Sequence, residues 1–375
     1  MPSAKEIAEF IRNNDYFLIS THVFPDGDNM GSTLALMEGL ERLGKRVAAY
    51  IDGEIPRIFS WMPGAERIHA DLDESLSKLH GAEPALVILD SGDIHRMGPA
   101  FDSWIETQSG LHTANIDHHV SNTNFGTVNW VDADYSSVGE MIYEVLRELG
   151  AEITPAIAQN LYVSVYTDTG RFSFSNTNER SLRYAADYLA AGARPIRAFF
   201  GVYANRSFDS FQLQNCAFET LTRFMNGMGI YFWVDQAMLA ATNTTLEDSE
   251  GLIDVVRTLR GFDLVAFFKE IGPDDIRLSL RAGIPIDASL LMARFGGGGH
   301  PRAAGCSFAM PLGKAIERFV EVTEKAVESG EVLSHGGYRW QKPVFYWVSR
   351  SCALSMGPRS SESRLSTRNT IACRL

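Results

Sequence analysis

The sequence predicts an α/β protein in two units: a mainly parallel sheet flanked by helices, then a smaller α/β domain. Three observations carry that reading. In the first half, apolar runs of four or five residues alternate with helical stretches, the pattern of buried parallel strands and their crossovers. Periodicity weakens between Gly192 and Asn205, and a second set of strands and helices follows. The 375 residues suit about two to three domains. With 45% hydrophobic and 21% charged residues, the chain has the apolar content to fill them.

Taken in order, Lys5–Asn13 places Ile7, Ala8, Phe10 and Ile11 on one face of a short amphipathic helix. Strands follow at Tyr16–Ile19, Val47–Ile51 and Ala85–Leu89, and a weaker one at Thr113–Ile116, with helices over Ser32–Leu43 and Ser137–Leu149. Pro155 opens a helical region that runs to Ala191 and is interrupted over Thr167–Asn176. Residues 209–225 read as a connecting helix. Beyond it, Ile230–Val234, Leu264–Glu270 and Ile276–Arg281 read as strands, and Ser249–Arg260 and Leu312–Ser329 as helices. The domain reading is therefore 1–191, a linker and connecting helix over 192–225, a second domain over 226–335, and a basic, Ser-rich tail over 336–375. A poorly ordered tail is expected there, with a nucleic-acid-binding tail as the alternative.

Charge narrows the function classes. The formal net charge is −12, and residues 331–375 hold 7 basic and 2 acidic side chains. Residues 1–330 are left with 27 basic and 44 acidic, a net of −17. A body that acidic does not grip long nucleic acid through many phosphate contacts, but it can hold a small phosphorylated substrate in a local cationic pocket. No apolar run reaches 18 residues and the N-terminus lacks a signal-like apolar core, so no membrane partner and a cytoplasmic location are expected. Cys216, Cys306, Cys352 and Cys373 form no C-x-x-C pair, which argues against a zinc ribbon or a disulfide scaffold.

Ligands of an open α/β sheet gather at the carboxyl ends of its strands, and acidic and histidine residues stand just after several of these. His22, Asp26 and Asp28 follow the first strand, on a turn set by Pro25 and Gly27, before Gly31-Ser32 opens a helix whose amides can hold an anion. Alone, this Asp-Gly-Asp is a solvated turn. Asp90 ends the most apolar strand, where an unpaired carboxylate is costly. Asp117, His118 and His119 end the next; their side chains alternate, so at most two face one site directly. Asp168 stands where a helix breaks.

Two imidazoles and four carboxylates, His22, Asp26, Asp28, Asp90, His118 and Asp168, suit a pair of divalent cations, whose charge cancels that of the carboxylates. Mixed nitrogen and oxygen ligation without thiolate favours Mn2+, with Fe2+ and Zn2+ next. Such a pair activates water and stabilises in-line displacement at phosphorus. In the second unit, Phe295 and four glycines lead to His300. The glycines let backbone amides approach an anion, with His300 and Arg281 as charge-assisted donors.

This combination (H-x-x-x-D-x-D, the strand-end Asp90, Asp117-His118-His119, Asp168 and GGGGH) resembles the DHH/DHHA1 phosphoesterase superfamily over about residues 5–330. Within it the likeness is to the stand-alone nano-RNase (oligoribonuclease) and 3′-phosphoadenosine-5′-phosphate (pAp) phosphatase type. The resemblance implies an N-terminal DHH domain and a C-terminal DHHA1 domain, with metal ligands at His22, Asp26, Asp28, Asp90, His118 and Asp168 and Asp90 bridging two ions. It implies that Asp117 supports the loop and that His119 contacts the scissile phosphate or assists the leaving group. Gly297, Gly298, Gly299, His300, Arg281 and, less directly, Arg206 would bind substrate, with Ser32 at the helix start.

The implied function is Mn2+-dependent hydrolysis of very short oligonucleotides and of pAp; a homodimer is compatible with it. The runner-up is a phosphodiesterase for cyclic or linear dinucleotides (c-di-AMP, pApA, pGpG), and from another class, a non-catalytic metal-dependent nucleotide sensor. Phe172 or Phe174 as a base-stacking residue is weighed against core packing, which is favoured.

Overall fold

The computed structural model describes residues 3–333. The chain opens with α1 (Ala4–Arg12), β1 (Tyr16–Thr21), α2 (Gly27–Arg42), β2 (Arg46–Tyr50), β3 (Ile68–His69) and α3 (Leu72–Ser77). Then come β4 (Ala85–Leu89), α4 (Pro99–Ile105), β5 (Thr113–Asp117), β6 (Val128–Val131), α5 (Val138–Glu148), α6 (Pro155–Asp168) and α7 (Glu179–Ala190). Six strands form one sheet in the order β3-β2-β1-β4-β5-β6, parallel at every pairing. β4 is buried at all five positions, which is why its sequence is an unbroken apolar run rather than an alternating one.

Both faces of this sheet are covered. Phe17, Ile19, Val87 and Leu89 pack against Ile7 of α1, Leu34 of α2, Met141 of α5 and Leu161 of α6. Leu18, Leu86 and Ile88 point the other way, against Leu72 of α3 and Phe101 of α4. From β1 the chain winds outward to β3 and returns to β4 on the other side. The order reverses between β1 and β4, and the crevice beyond their carboxyl ends is where such sheets bind ligands. α2 leaves that crevice and packs closely on α6: a Cβ on Gly31 would stand 2.4 Å from the carbonyl oxygen of Asn160. This approach brings the end of α6, with Asp168, to the start of α2.

The second unit comprises α8 (Pro195–Ala198), α9 (Phe208–Glu219), β7 (Thr222–Phe224), β8 (Gly229–Val234), α10 (Gln236–Thr242) and α11 (Leu252–Val256). It ends with β9 (Leu264–Gly272), β10 (Asp275–Ala282), α12 (Ala288–Ala293), β11 (Gly298–His300), β12 (Ala303–Phe308) and α13 (Leu312–Glu328). Its sheet runs β11-β12-β10-β9-β8-β7 and is antiparallel except between β8 and β9. One face packs on α12 and α13 through Leu278, Leu280, Phe268, Leu291 and Phe319. On the other face, Leu213, Leu239 and Leu252 from α9, α10 and α11 cover Phe232 and Phe267 of β8 and β9. Along β10 the residues of that second face, Arg277, Ser279 and Arg281, are exposed or half-buried.

Several expectations change in detail. The two- and four-residue edge strands β3 and β6 were too short to carry a periodic signal. The helix expected over 209–225 ends at Glu219, and the chain turns back as β7. The helix expected over Ser249–Arg260 contracts to Leu252–Val256, because Gly251 takes a left-handed φ of 76° and separates it from a 3-10 turn at Leu246–Ser249. The glycine run is no free loop: Gly298–His300 is an edge strand in a hairpin with β12. The tail over 336–375 lies outside the described residues. Among the described residues no helix is long and apolar enough to cross a membrane.

Candidate metal centre

All six side chains expected to hold metal meet at the crevice beyond β1, β4 and β5. His22, Asp26 and Asp90 offer one ligand atom each within 4.8 Å of one another, and so do Asp28, His118 and Asp168. A third such set, Asp90, His118 and His119, joins the two.

Each ligand is aimed by the local fold. Asp26 N-caps α2: its Oδ1 accepts from the amides of Asp28 (2.9 Å) and Asn29 (3.1 Å), which leaves Oδ2 for the site. The Nδ1 of His22 lies 2.7 Å from the carbonyl oxygen of Val23. A carbonyl only accepts, so Nδ1 carries the proton and Nε2 keeps its lone pair. His118 is fixed the same way, with Nδ1 3.1 Å from the carbonyl of Tyr135. Its Nε2 faces Asp90 Oδ1 at 3.4 Å, Asp168 Oδ2 at 3.8 Å and Asp28 Oδ2 at 3.9 Å.

Asp28 is almost fully buried and caps α5 from a distance. It accepts from the amides of Val138 (2.7 Å) and Gly139 (3.1 Å) and from Ser164 Oγ (2.6 Å). The positive end of that helix favours its charge. Asp168, at the last residue of α6, is steadied by Asn176 Nδ2, which donates to its backbone carbonyl at 3.1 Å.

Asp90 is the hub. It is 2% exposed and holds a left-handed φ of 52°, strained for a residue with a side chain. Asn29 Nδ2 donates to its Oδ2 at 2.8 Å, while its Oδ1 is buried with no hydrogen-bond partner. An orphaned carboxylate oxygen in a protein interior is costly, and a cation is the partner that relieves it. By that criterion the donor set fits divalent metal.

The electrostatics agree. Burial, reinforced by neighbouring carboxylates, raises Asp90 and Asp168 well above the usual carboxylate range and raises Asp28 as well. For His118 burial works downward, but the carboxylates of Asp90, Asp168 and Asp28 overcome it and lift the imidazole well above its usual value. Burial lowers His22. A cluster this anionic takes up protons unless cations are bound.

Asp117 points away from the cluster and is fully buried beneath the loop it begins. It accepts from the amides of His118 (2.8 Å) and His119 (3.2 Å), from His119 Nδ1 (2.7 Å) and from Asn122 Nδ2 (2.6 Å). Burial alone would raise it; the bond from His119, then that from Asn122, outweigh this and hold it below its usual range. His119 Nδ1 also lies 3.4 Å from Asp90 Oδ1. So His118 and His119, adjacent in sequence, both face the site while Asp117 braces them; two of the three reach the cluster as expected, but they do not alternate, because β5 ends at Asp117 and the two histidines lie on the loop after it.

From the second unit, the His300 ring stacks on His119 at 5.4 Å between centroids. Gly297 and Gly299 are pressed against β12: added Cβ atoms would stand 2.1 Å from the carbonyl of Gly305 and 2.6 Å from Ala304 Cα. Gly298 has open space beside it. Arg281 lies 3.4 Å from Asp254 Oδ1, and Arg206 donates to Gln214 Oε1 (2.5 Å) and to the carbonyl of Ser210 (3.1 Å). Ser32 does not open a helix as expected: α2 begins at Gly27, so Ser32 lies past the free amides of its first turn, fully buried, with its Oγ donating to the carbonyl of Asp28 at 2.6 Å. Phe172 packs in the core beside Tyr162 and Tyr166. Phe174 is 42% exposed, with Arg257 4.9 Å above its ring.

Asn29, Asn122, Ser164 and the start of α5 are supporting groups that sequence reasoning missed. Asn29 alone had a local signal, as the third residue after the Asp26 cap in a reciprocal capping box.

Comparison with known proteins places these features in a wider set. Residues 16–165 match the DHH family, N-terminal domain, and residues 232–329 match the DHHA1 domain. The chain is 31% identical over 322 residues to the bifunctional oligoribonuclease and PAP phosphatase NrnA of Thermus thermophilus, covering 85% of this chain and 91% of that protein. It is 29% identical over 306 residues to the protein of the same name from Bacillus subtilis, covering 80% and 92%. An exopolyphosphatase-related protein from Bacteroides fragilis shares the fold, with a TM-score of 0.80 at 24% identity over 88% of this chain and 97% of that one.

Proposed function

Since the chain belongs to the DHH family and carries the DHHA1 domain, we propose that it is a Mn2+-dependent phosphohydrolase acting on very short oligonucleotides and on pAp. The observation that carries this reading is the six-residue cluster around Asp90 Oδ1, a buried carboxylate oxygen that accepts no hydrogen bond, in a chain related along most of its length to oligoribonuclease and PAP phosphatase proteins.

His22, Asp26 and Asp90 would hold one divalent ion and Asp28, His118 and Asp168 the other, with Asp90 shared. Bound there, the ions would supply an activated water and neutralise charge developing on phosphorus. The protein's part is to aim and to exclude. The carbonyls of Val23 and Tyr135 fix the tautomers of His22 and His118. Asp117 holds the loop rigid, so His119 stays within reach of the scissile phosphate or the leaving oxygen. Residues 1–191 thus supply the chemistry, and 226–335 present the uncovered face of β10, with Arg277, Ser279, Arg281 and the neighbouring His300, to the rest of the nucleotide. A few such contacts suffice for a short substrate, which reconciles the function with an acidic body.

The test is hydrolysis with Mn2+ of pAp, a dinucleotide, a five-mer, a twenty-mer and cyclic-di-AMP. Preference for pAp and the shortest oligomers is expected. A preference for the twenty-mer or for cyclic-di-AMP would overturn the reading, and metal binding without turnover on any of them would make the protein a sensor.

A further inference from the structure

Phe24 stands directly between the ligands His22 and Asp26, and three features of it lack a structural purpose. Its side chain is 70% exposed. Its backbone holds a left-handed φ of 58°, a region that bulky residues avoid. Among the described residues no aromatic ring pairs with it and it joins no core cluster; what lies over it is the guanidinium of Arg277, 5.0 Å from the ring centroid. Phe199, Phe200, Phe208 and Phe211 are also exposed, but they belong to the segment that connects the two units rather than to the ligand loop.

Arg277 is unusual in the same way. It alternates with the buried Ile276 and Leu278 on β10, so it rises from the uncovered face of the second sheet. Among the described residues it has no ion pair and no side-chain hydrogen bond. By contrast, Arg281 is paired with Asp254, and Arg302 is bound to the carbonyls of Gly283 and Ile286. Arg257, over Phe174, lies 3.7 Å from Asp254. Apart from the Phe24 ring beneath it, the Arg277 guanidinium has its N–H donors free among the described residues.

A flat apolar ring and a planar cation, one from each unit and both beside the ligand cluster, suit a flat aromatic ligand next to a phosphate. We propose that Phe24 is the stacking platform for the nucleobase of the nucleotide whose phosphate reaches the ligand cluster, with Arg277 closing over the other face of that base. Every base has a π-face, so the contact favours nucleotides over other phosphate esters without selecting among sequences. Arg277 in its present place covers the ring until the base enters. This inference rests on the proposed function and adds the feature of substrate that the metal ligands cannot read.

The experiment compares kcat/KM for pAp with that for a base-less analogue, methyl riboside 3,5-bisphosphate, in the full chain with Mn2+. The unaltered protein should prefer pAp. Phe24→Ala should cut that preference about tenfold, mainly through KM, since a base–aromatic stack is worth roughly 5- to 140-fold in binding. Phe24→Trp should restore it, and Arg277→Gln should reduce it several-fold from the opposite unit, which keeps the test valid if Phe24→Ala misfolds. If Phe24→Ala slows both substrates equally, Phe24 merely shapes the His22 loop and the inference falls. If the unaltered protein hydrolyses neither, the functional reading falls instead. The stacking claim is then judged by calorimetric binding of pAp, which Phe24→Ala must weaken about tenfold.

Discussion

Replacing Asp90 with Asn separates what this carboxylate costs the fold from what it contributes with metal bound. Asp26 and Asp90 offer ligand atoms within 4.8 Å of each other. At that separation two carboxylates repel by about 3.5 kcal/mol in a medium of effective dielectric about 20. Asp26 faces solvent, and screening reduces this to about 1–2 kcal/mol. Asn is isosteric, still accepts from Asn29, and tolerates the left-handed φ at this position better than most residues. Asp90→Asn should therefore be more stable than the parent in EDTA, by about 2–8 °C in Tm at 2–4 °C per kcal/mol.

Burial and the neighbouring Asp28 raise the folded-state pKa of Asp90 above its unfolded value of 3.8, so its ionisation destabilises the metal-free fold as pH rises. The advantage of the variant should vanish below about pH 4 and grow toward alkaline pH. With Mn2+ at a hundred times its Kd the order reverses: the parent gains about 2.7 kcal/mol per site, and the variant gains little. Thermal melts with EDTA and with Mn2+, at pH 5 and pH 8, read both effects. A variant less stable than the parent in EDTA, or one that keeps the full Mn2+ shift, would refute the reasoning.

Other perturbations bear on the supporting residues. Asp117→Ala would strand three N–H donor groups of the loop and the amide of Asn122, costing about 3–5 kcal/mol and weakening Mn2+ binding about 10- to 100-fold, measured by denaturant melts and metal titration. Glu140 is fully buried, and desolvation lifts its carboxyl to about 7 from 4.5. Its contribution is favourable below pH 4.5 and is lost as pH rises through about 7, a swing of about 3 kcal/mol. Glu140→Gln should flatten that part of the stability–pH curve, and an unchanged slope between pH 5 and 8 would count against it. His300→Ala removes the ring stacked on His119 and should raise KM for pAp several-fold with a smaller change in kcat; equal losses in both would place His300 in the chemistry instead.

What could be read without the structure follows from physics of short range. β4 was legible because a strand covered on both faces must be apolar throughout. Asp90, Asp117 and His118 stood out because charge at the end of such a run has to find a partner. Edge strands β3 and β6 were illegible because they are short and half-covered. Long-range geometry hid the rest. Asp28 caps a helix that begins 110 residues later, and nothing near it in sequence announces this. Gly297 and Gly299 looked like room for an anion, yet their missing side chains make room for β12. Arg281 looked like a free cation until the fold set it beside Asp254. Phe24 was unremarked beside its ionisable neighbours, because exposure and backbone strain are properties of the folded chain.

The most direct test of the two-ion centre is to titrate Mn2+ into the metal-free protein, following bound metal per chain and pAp hydrolysis on the same samples. Two ions per chain are predicted, with hydrolysis rising as the second binds, and Asp90→Asn should lose both binding and turnover. Full hydrolysis with one ion bound, or undiminished hydrolysis in EDTA, would contradict the assignment of these six side chains.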